Sequence, residues 1–175
     1  MILGDKHITK MVEHGFITNS DSRFVNPASI NLRLGNTFLR PEVNQKVVLG
    51  EEMKYERYEC PVDGGAILPP GGFVLATTME CINVPIKLAA FVQGRSSIGR
   101  IGLMVQNAGY VDPGFHGHIT LELKNDSPCP ILLKPGYPVA QLVFMDATDV
   151  SQGYNGKYND QVEATGSRMY LDEVE

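Results

Sequence analysis

Apolar residues near the start of the chain recur at helical spacing: Ile8, Met11 and Val12, closing at Gly15. Asp5 stands ahead of them as a cap, so the pattern predicts a short N-terminal helix. From Ser29 the period changes to two. Ser29-Ile30-Asn31-Leu32-Arg33-Leu34 alternates polar and apolar and meets Gly35-Asn36, which predicts a strand followed by a turn. Further strands are predicted at 37–39, 73–77, 89–93, 118–124, 131–133 and 139–145. Pro69-Pro70-Gly71-Gly72, Asp112-Pro113-Gly114 and Lys134-Pro135-Gly136-Tyr137-Pro138 separate them. Many short strands at this spacing imply a mainly β sandwich or distorted barrel. Residues 149–175 lose the pattern, being rich in Gly, Asn, Asp, Ser and Gln, and read as a mobile tail or lid. With no internal repeat and no linker, residues 1–175 read as one domain carrying that tail.

Composition narrows the function classes. The 175 residues are 43% hydrophobic and 20% charged, enough apolar surface for a core. The net charge of -5 is wrong for a duplex-binding surface, which needs clustered excess positive charge, but leaves room for one small phosphorylated ligand. The three cysteines, Cys60, Cys81 and Cys129, form no CxxC pair, which argues for reduced thiols rather than a disulfide framework. No basic-then-apolar leader opens the sequence and no apolar run approaches the roughly 20 residues a membrane helix needs. A soluble, cytoplasmic chain is expected.

Three stretches carry candidate chemistry. Gly94-Arg95-Ser96-Ser97-Ile98-Gly99-Arg100 sets two arginines around two hydroxyls, with glycines that admit a ligand to the backbone. Guanidinium forks and hydroxyls suit phosphate oxygens, although a solvated turn with capping serines has the same composition. Gly109-Tyr110-Val111-Asp112-Pro113-Gly114-Phe115 places a carboxylate just before a turn. In His118-Ile119-Thr120-Leu121-Glu122-Leu123-Lys124, alternation puts His118, Thr120 and Glu122 on one strand face. Pattern alone favours a solvent-facing Glu122, the alternative being a part-buried pocket with a raised pKa. His116 and His118 also share a face, but two histidines without a third ligand are weak grounds for a metal.

Taken together, Gly-Arg-Ser-Ser-x-x-Arg, Asp-Pro-Gly-Phe and Thr-Leu-Glu-Leu-x-Asn resemble the dCTP deaminase family of the trimeric dUTPase-like superfamily. Met1-Ile2-Leu3-Gly4-Asp5-Lys6, Asn26-Pro27-Ala28-Ser29-Ile30-Asn31-Leu32-Arg33-Leu34-Gly35, Gln141-Leu142-Val143-Phe144 and Gly156-Lys157-Tyr158-Asn159-Asp160-Gln161 extend the resemblance over nearly the whole chain, with Asn31 where Asp is usual. It implies a dUTPase-like distorted β-barrel or jelly roll with a short N-terminal helix and a flexible lid at 149–175. It implies a substrate-binding loop of Arg95, Ser96, Ser97, Ile98, Gly99 and Arg100. Asp112 matches a carboxylate near the deoxyribose, and Thr120, Leu121 and Glu122 match the strand that reads the base, with Glu122 as catalytic glutamate. Gln141 matches a nucleotide-contacting glutamine, and Tyr154, Lys157 and Gln161 match a segment that closes over the triphosphate. Mg²⁺ on the substrate's phosphates and a homotrimer with shared active sites are implied as well.

The residues bear on this chemistry independently. Zinc deaminases use H-x-E with P-C-x-x-C, and the sequence has neither motif. A route without zinc needs a carboxyl proton shuttle, for which Glu122 is the candidate, with Ser96 helping to position water or base and Asp112 available as a second base. Gly109-Tyr110 resembles family members that both deaminate dCTP and hydrolyse the product to dUMP, whereas deaminase-only members carry His-Arg there. Three alternatives remain open: a deaminase-only enzyme; a dUTPase-only enzyme, since 107–112 also looks like a uracil-binding hairpin; and a non-catalytic nucleotide sensor.

Overall fold

A computed structural model describes residues 1–61, 63–106 and 109–172. Asn107 and Ala108 of the hairpin-like stretch and residues 173–175 of the tail lie outside the described residues. The predicted helix is α1, Asp5–Glu13. Its cap is Gly4, not Asp5; Asp5 is the first helical residue and its carboxylate accepts the Lys6 N–H at 2.8 Å. Ile8 and Met11 are the residues that α1 buries. Among the described residues no helix is long and apolar enough to cross a membrane.

Twelve strands follow: β1 (Ile17–Thr18), β2 (Val25–Asn26), β3 (Ser29–Pro41), β4 (Tyr55–Glu59), β5 (Ala66–Leu68), β6 (Phe73–Asn83), β7 (Leu88–Gly94), β8 (Leu103–Val105), β9 (Tyr110–Val111), β10 (His116–Asn125), β11 (Ile131–Leu133) and β12 (Pro138–Asp146). A one-turn helix, α2 (Ser96–Gly99), lies between β7 and β8. The main sheet runs β8-β10-β6-β3-β12-β7-β9, every pair antiparallel, with β1 on β6 and both β2 and β4 on β3; β5 and β11 form a small second sheet. The sheet curls on itself until Gly94, at the end of β7, stands against Val105 of β8. Among the described residues the edges β7–β9 and β8–β10 do not pair, so the barrel stays open along the seam between them.

Alternation fills the interior. Ile30, Leu32 and Leu34 from β3, Val74 and Ala76 from β6, Leu121 and Leu123 from β10, and Leu142 and Phe144 from β12 are fully buried or nearly so. Each of the Val, Leu, Ile and Phe side chains among them contributes about 1.5–3 kcal/mol by leaving water. The expected turn at Gly35-Asn36 is instead a bulge inside β3. Pairing with β6 jumps from Leu34↔Thr78 to Phe38↔Ala76, and the strand continues to Pro41. Gly35 is needed because a Cβ there would lie 2.4 Å from the Thr77 side chain.

A second irregularity lies next to it on β6. The β10 register jumps from His118↔Cys81 to Thr120↔Thr77, and the Thr78 hydroxyl replaces the lost ladder bond by accepting the Ile119 N–H at 3.0 Å. Glu80 is fully buried at this point. Its carboxylate accepts the Arg33 backbone N–H and Nε, each at 2.7 Å. Burial pushes the Glu80 carboxyl above its ordinary range, while Arg33 pulls the other way. Arg33 also packs over the Phe24 ring at 4.5 Å. The pair thus ties β3 to β6, the strand that pairs on its other side with β10, which carries Thr120 and Glu122.

Candidate active site

The open seam holds the larger cleft, about 590 Å³. Gly109, Tyr110, Val111 and Asp112 form one side, Thr120, Leu121 and Glu122 the opposite side, and Met53, Tyr55 and Phe73 one end. The tail supplies the cover with Tyr154, Tyr158, Gln161 and residues 165–167. The alternation predicted for β10 holds: Ile119, Leu121 and Leu123 are buried, while His118, Thr120 and Glu122 lie on the half-open face. Glu122 is not the solvent-facing residue that pattern alone favoured. Burial raises its carboxyl pKa above the ordinary range, and among the described residues no side chain hydrogen-bonds the carboxyl group. A carboxyl held this way keeps its proton to higher pH than an exposed one, which suits it to passing protons.

Asp112 follows β9 and opens the turn to β10, with its carbonyl accepting the Phe115 N–H at 3.1 Å. Tyr110 is half exposed, its ring edge-on to Phe91 with centroids 5.1 Å apart. Gly109 lies against β7, its carbonyl accepting the Val92 N–H at 2.7 Å.

The arginine-serine loop lines a second cleft of about 520 Å³, formed by Arg95, Ser96, Ser97 and Gly99 with Asn26, Asn31 and Gln141. Val105 lines both clefts, so they flank the same seam. Ser96 and Ser97 lie within α2; its cap is Arg95, and no side chain makes a capping hydrogen bond. Both serines are exposed and line the cleft. Arg95 Nη1 donates to the Pro138 carbonyl at 2.8 Å, which fixes its guanidinium beside β12. Gln141 accepts the Ser29 hydroxyl at 3.1 Å, and Asn26 donates to Asn31 at 3.2 Å. Ile98 points into the core, so a ligand meets only its backbone. Arg100 and Lys157 line neither cleft; Lys157 is ion-paired with Asp172.

The tail lies across its own chain's larger cleft. The Tyr154 N–H donates to the Pro113 carbonyl at 2.7 Å, the Asp160 N–H to the His116 carbonyl at 2.7 Å, and the His118 N–H to the Gln161 carbonyl at 2.8 Å. Gly114 and Gly117 permit this approach. Both have positive φ, and a Cβ on either would lie under 3.0 Å from tail backbone atoms. The His116 ring nitrogen Nδ1 lies 2.7 Å from the Asp160 carboxylate. His118 Nδ1 lies 2.9 Å from the Thr78 carbonyl, so the two histidines do not face a common ion. Among the described residues no three His, Cys, Asp or Glu side chains are grouped to hold a metal. Sequence reasoning missed the Met53–Tyr55 end of the cleft, which no motif marks.

The site is thus framed by a curled, mainly β half-barrel with a part-buried glutamate at its open seam. The chain's structure is similar to the 2'-deoxycytidine 5'-triphosphate deaminase of Agrobacterium tumefaciens, with a TM-score of 0.64 at 25% identity over 83% of this chain and 48% of that chain. The dCTP deaminase-like family model matches residues 2–147, and the chain belongs to that family. It is 45% identical over 98% of its length to a Sulfurihydrogenibium protein named dCTP deaminase, dUMP-forming, of which it covers 99%. A Persephonella marina protein of the same name is 42% identical, with 98% of this chain and 99% of that protein covered.

Proposed function

We propose that this chain deaminates dCTP and releases diphosphate, forming dUMP, the precursor of thymidine nucleotides. The carrying observation is the single cleft that joins Glu122, its carboxyl pKa raised by burial, to Thr120 and Asp112 under the folded tail. The names of the near-full-length relatives support the same reading.

In this reading water attacks the cytosine C4 position. Glu122 takes a proton from that water and gives it to the ring nitrogen; it then takes the proton of the new C4 hydroxyl and passes it to the amino group, which leaves as ammonia while the C4 carbonyl forms. Thr120 and Leu121 hold the base, and Ser96 positions the attacking water. Asp112 then acts as base for a second water at the α-phosphate, where Gly109-Tyr110 leave space that a larger cation would fill. Arg95, Ser97 and Arg100 bind phosphate oxygens, Gln141 contacts the nucleotide, and Tyr154, Lys157 and Gln161 close over it.

The donors of the second cleft are hydroxyl, amide and guanidinium groups. They suit phosphate oxygens better than a cation, so Mg²⁺ arrives as part of the nucleotide and reduces its phosphate charge. Because the two groups of residues occupy separate clefts, the active site is completed between subunits of a homotrimer. The working unit is the whole chain, with 149–175 as its lid, acting in the cytoplasm.

Incubation with dCTP and Mg²⁺, followed for ammonia and diphosphate, tests the proposal. Both products are expected. Ammonia alone would make the chain a deaminase that forms dUTP, and neither product would make it a nucleotide-binding protein without this activity.

A further inference from the structure

The end of the tail is held by a device that the motifs do not mark. Three backbone N–H groups within five residues donate to side-chain hydroxyls on three strands. Ala164 donates to Thr37 Oγ1 of β3 at 3.4 Å, Thr165 to Thr120 Oγ1 of β10 at 3.1 Å, and Ser167 to the Tyr55 hydroxyl of β4 at 3.1 Å. The contact with Tyr55 is also steric: a Cβ on Gly166 would lie 2.6 Å from Cε2 and 2.8 Å from Cδ2 of its ring. Two residues along β4, Arg57 pairs with Glu163 at the other end of the same segment and with Glu59 at 2.8 Å. Tyr55, Gly166 and Ser167 all line the cleft that contains Glu122.

We propose that Tyr55 is a positioning residue for the reaction, and that β4 is the dock on which residues 163–167 close the cleft. The inference rests on the reading of this cleft as the nucleotide site. The chemistry favours a reversible strap. Its bonds run from backbone N–H groups to hydroxyls rather than along a strand ladder, and each is replaceable by water at small net cost. Docking also engages the Thr120 hydroxyl, which accepts Thr165 N–H and lies 3.4 Å from the Gln161 side-chain oxygen. The strap therefore sets the hydroxyl next to Glu122 on the cleft face of β10. Tyr55 touches the strap, not the reacting atoms. Its loss lowers the population of closed cleft, and apparent affinity falls in proportion while the saturated rate is kept.

The test uses full-length protein with Tyr55→Phe, Tyr55→Ala, Gly166→Ala and the Tyr55→Ala/Gly166→Ala pair, with amide hydrogen exchange of the tail measured alongside dCTP kinetics. Tyr55→Phe keeps the ring and loses the acceptor, so Ser167 exchange and KM are each expected to rise about fivefold with kcat retained. Tyr55→Ala is expected to raise both by about tenfold or more, since ring packing is lost too. Gly166→Ala is expected to open the strap alone yet add nothing on top of Tyr55→Ala, because the clash partner is gone. Unchanged exchange in Tyr55→Ala would overturn the dock. Faster exchange with unchanged KM, or a loss confined to kcat, would overturn the positioning role. A wild-type protein that converts no dCTP would refute the proposed reaction instead, while the exchange measurement still decides the dock. If Tyr55→Ala does not fold, Tyr55→Phe decides by the same two readouts.

Discussion

A methyl group added to Gly109 would lie 2.6 Å from the carbonyl oxygen of Val92 and 2.9 Å from its Cβ, so the approach to β9 touches β7 backbone to backbone. Any side chain at 109 must push these strands apart, whatever it does to chemistry. Gly109→Ala is expected to cost about 1–3 kcal/mol, read from thermal unfolding. Replacing Gly109-Tyr110 by His-Arg would therefore mix a packing defect with a change at the phosphate. Tyr110 alone is half exposed and can be replaced cleanly. Tyr110→Arg is expected to slow diphosphate release from dUTP by about tenfold or more and to leave ammonia release from dCTP near wild type. Equal loss of both steps would remove Tyr110 from any role in the second one.

Glu122→Gln keeps the shape of the side chain and removes the proton shuttle. Ammonia release is expected to fall by about 10²–10⁴-fold, while hydrolysis of supplied dUTP continues. Wild-type deamination in the variant would exclude Glu122 as the shuttle.

The same substitution has a stability signature. Burial raises the folded-state pKa of Glu122 above its unfolded value. The contribution of Glu122 is complete below the unfolded pKa and is lost as pH rises through the folded pKa. Gln does not titrate. The melting temperature of the variant relative to wild type should therefore rise as pH increases above the unfolded carboxyl pKa of about 4.3. A constant difference above that pH would contradict the raised pKa.

Arg95→Ala and Glu122→Gln damage different clefts. If one subunit's arginine-serine loop completes another's glutamate cleft, trimers that mix the two inactive variants contain some intact sites. Partial recovery of ammonia release after co-expression is the expected result. No recovery would assign both clefts to a site within one chain.

Arg33→Ala leaves the Glu80 carboxylate buried without its guanidinium partner. The expected loss is about 3–5 kcal/mol, measurable by denaturant unfolding, although neither residue lines the cleft. Replacing both residues with apolar side chains of similar volume should recover most of it.

Where one face was buried and the other wet, the sequence spoke clearly. β11 lies at the predicted 131–133, and the alternation from His118 to Lys124 set the correct side of β10. β4 was missed because Tyr-Glu-Arg-Tyr-Glu lies on an exposed edge and presents no apolar stripe. The Gly35-Asn36 pair was misread because a glycine that admits a neighbouring Thr77 looks, in sequence, like one that turns a chain. Motif order singled out Glu122 and Asp112, and both line the larger cleft. The tail's docking was not, since it depends on backbone N–H groups, which every residue but proline possesses, meeting hydroxyls far away in the chain.

The topology also sets the order in which this protein can come into being. β3, completed by residue 41, takes β12 as its neighbour, and Ser29 bonds Gln141 across 112 positions. A growing chain holds the Ile30–Arg33 part of β3 without its β12 partner until residues 138–146 leave the ribosome, roughly 5–20 s after β3 at about 5–20 residues per second. The strap of residues 163–167 emerges later still. Translation thus exposes an apolar strand edge for most of synthesis, and the cleft closes last, which makes a chain truncated before β12 a candidate for aggregation rather than a smaller enzyme.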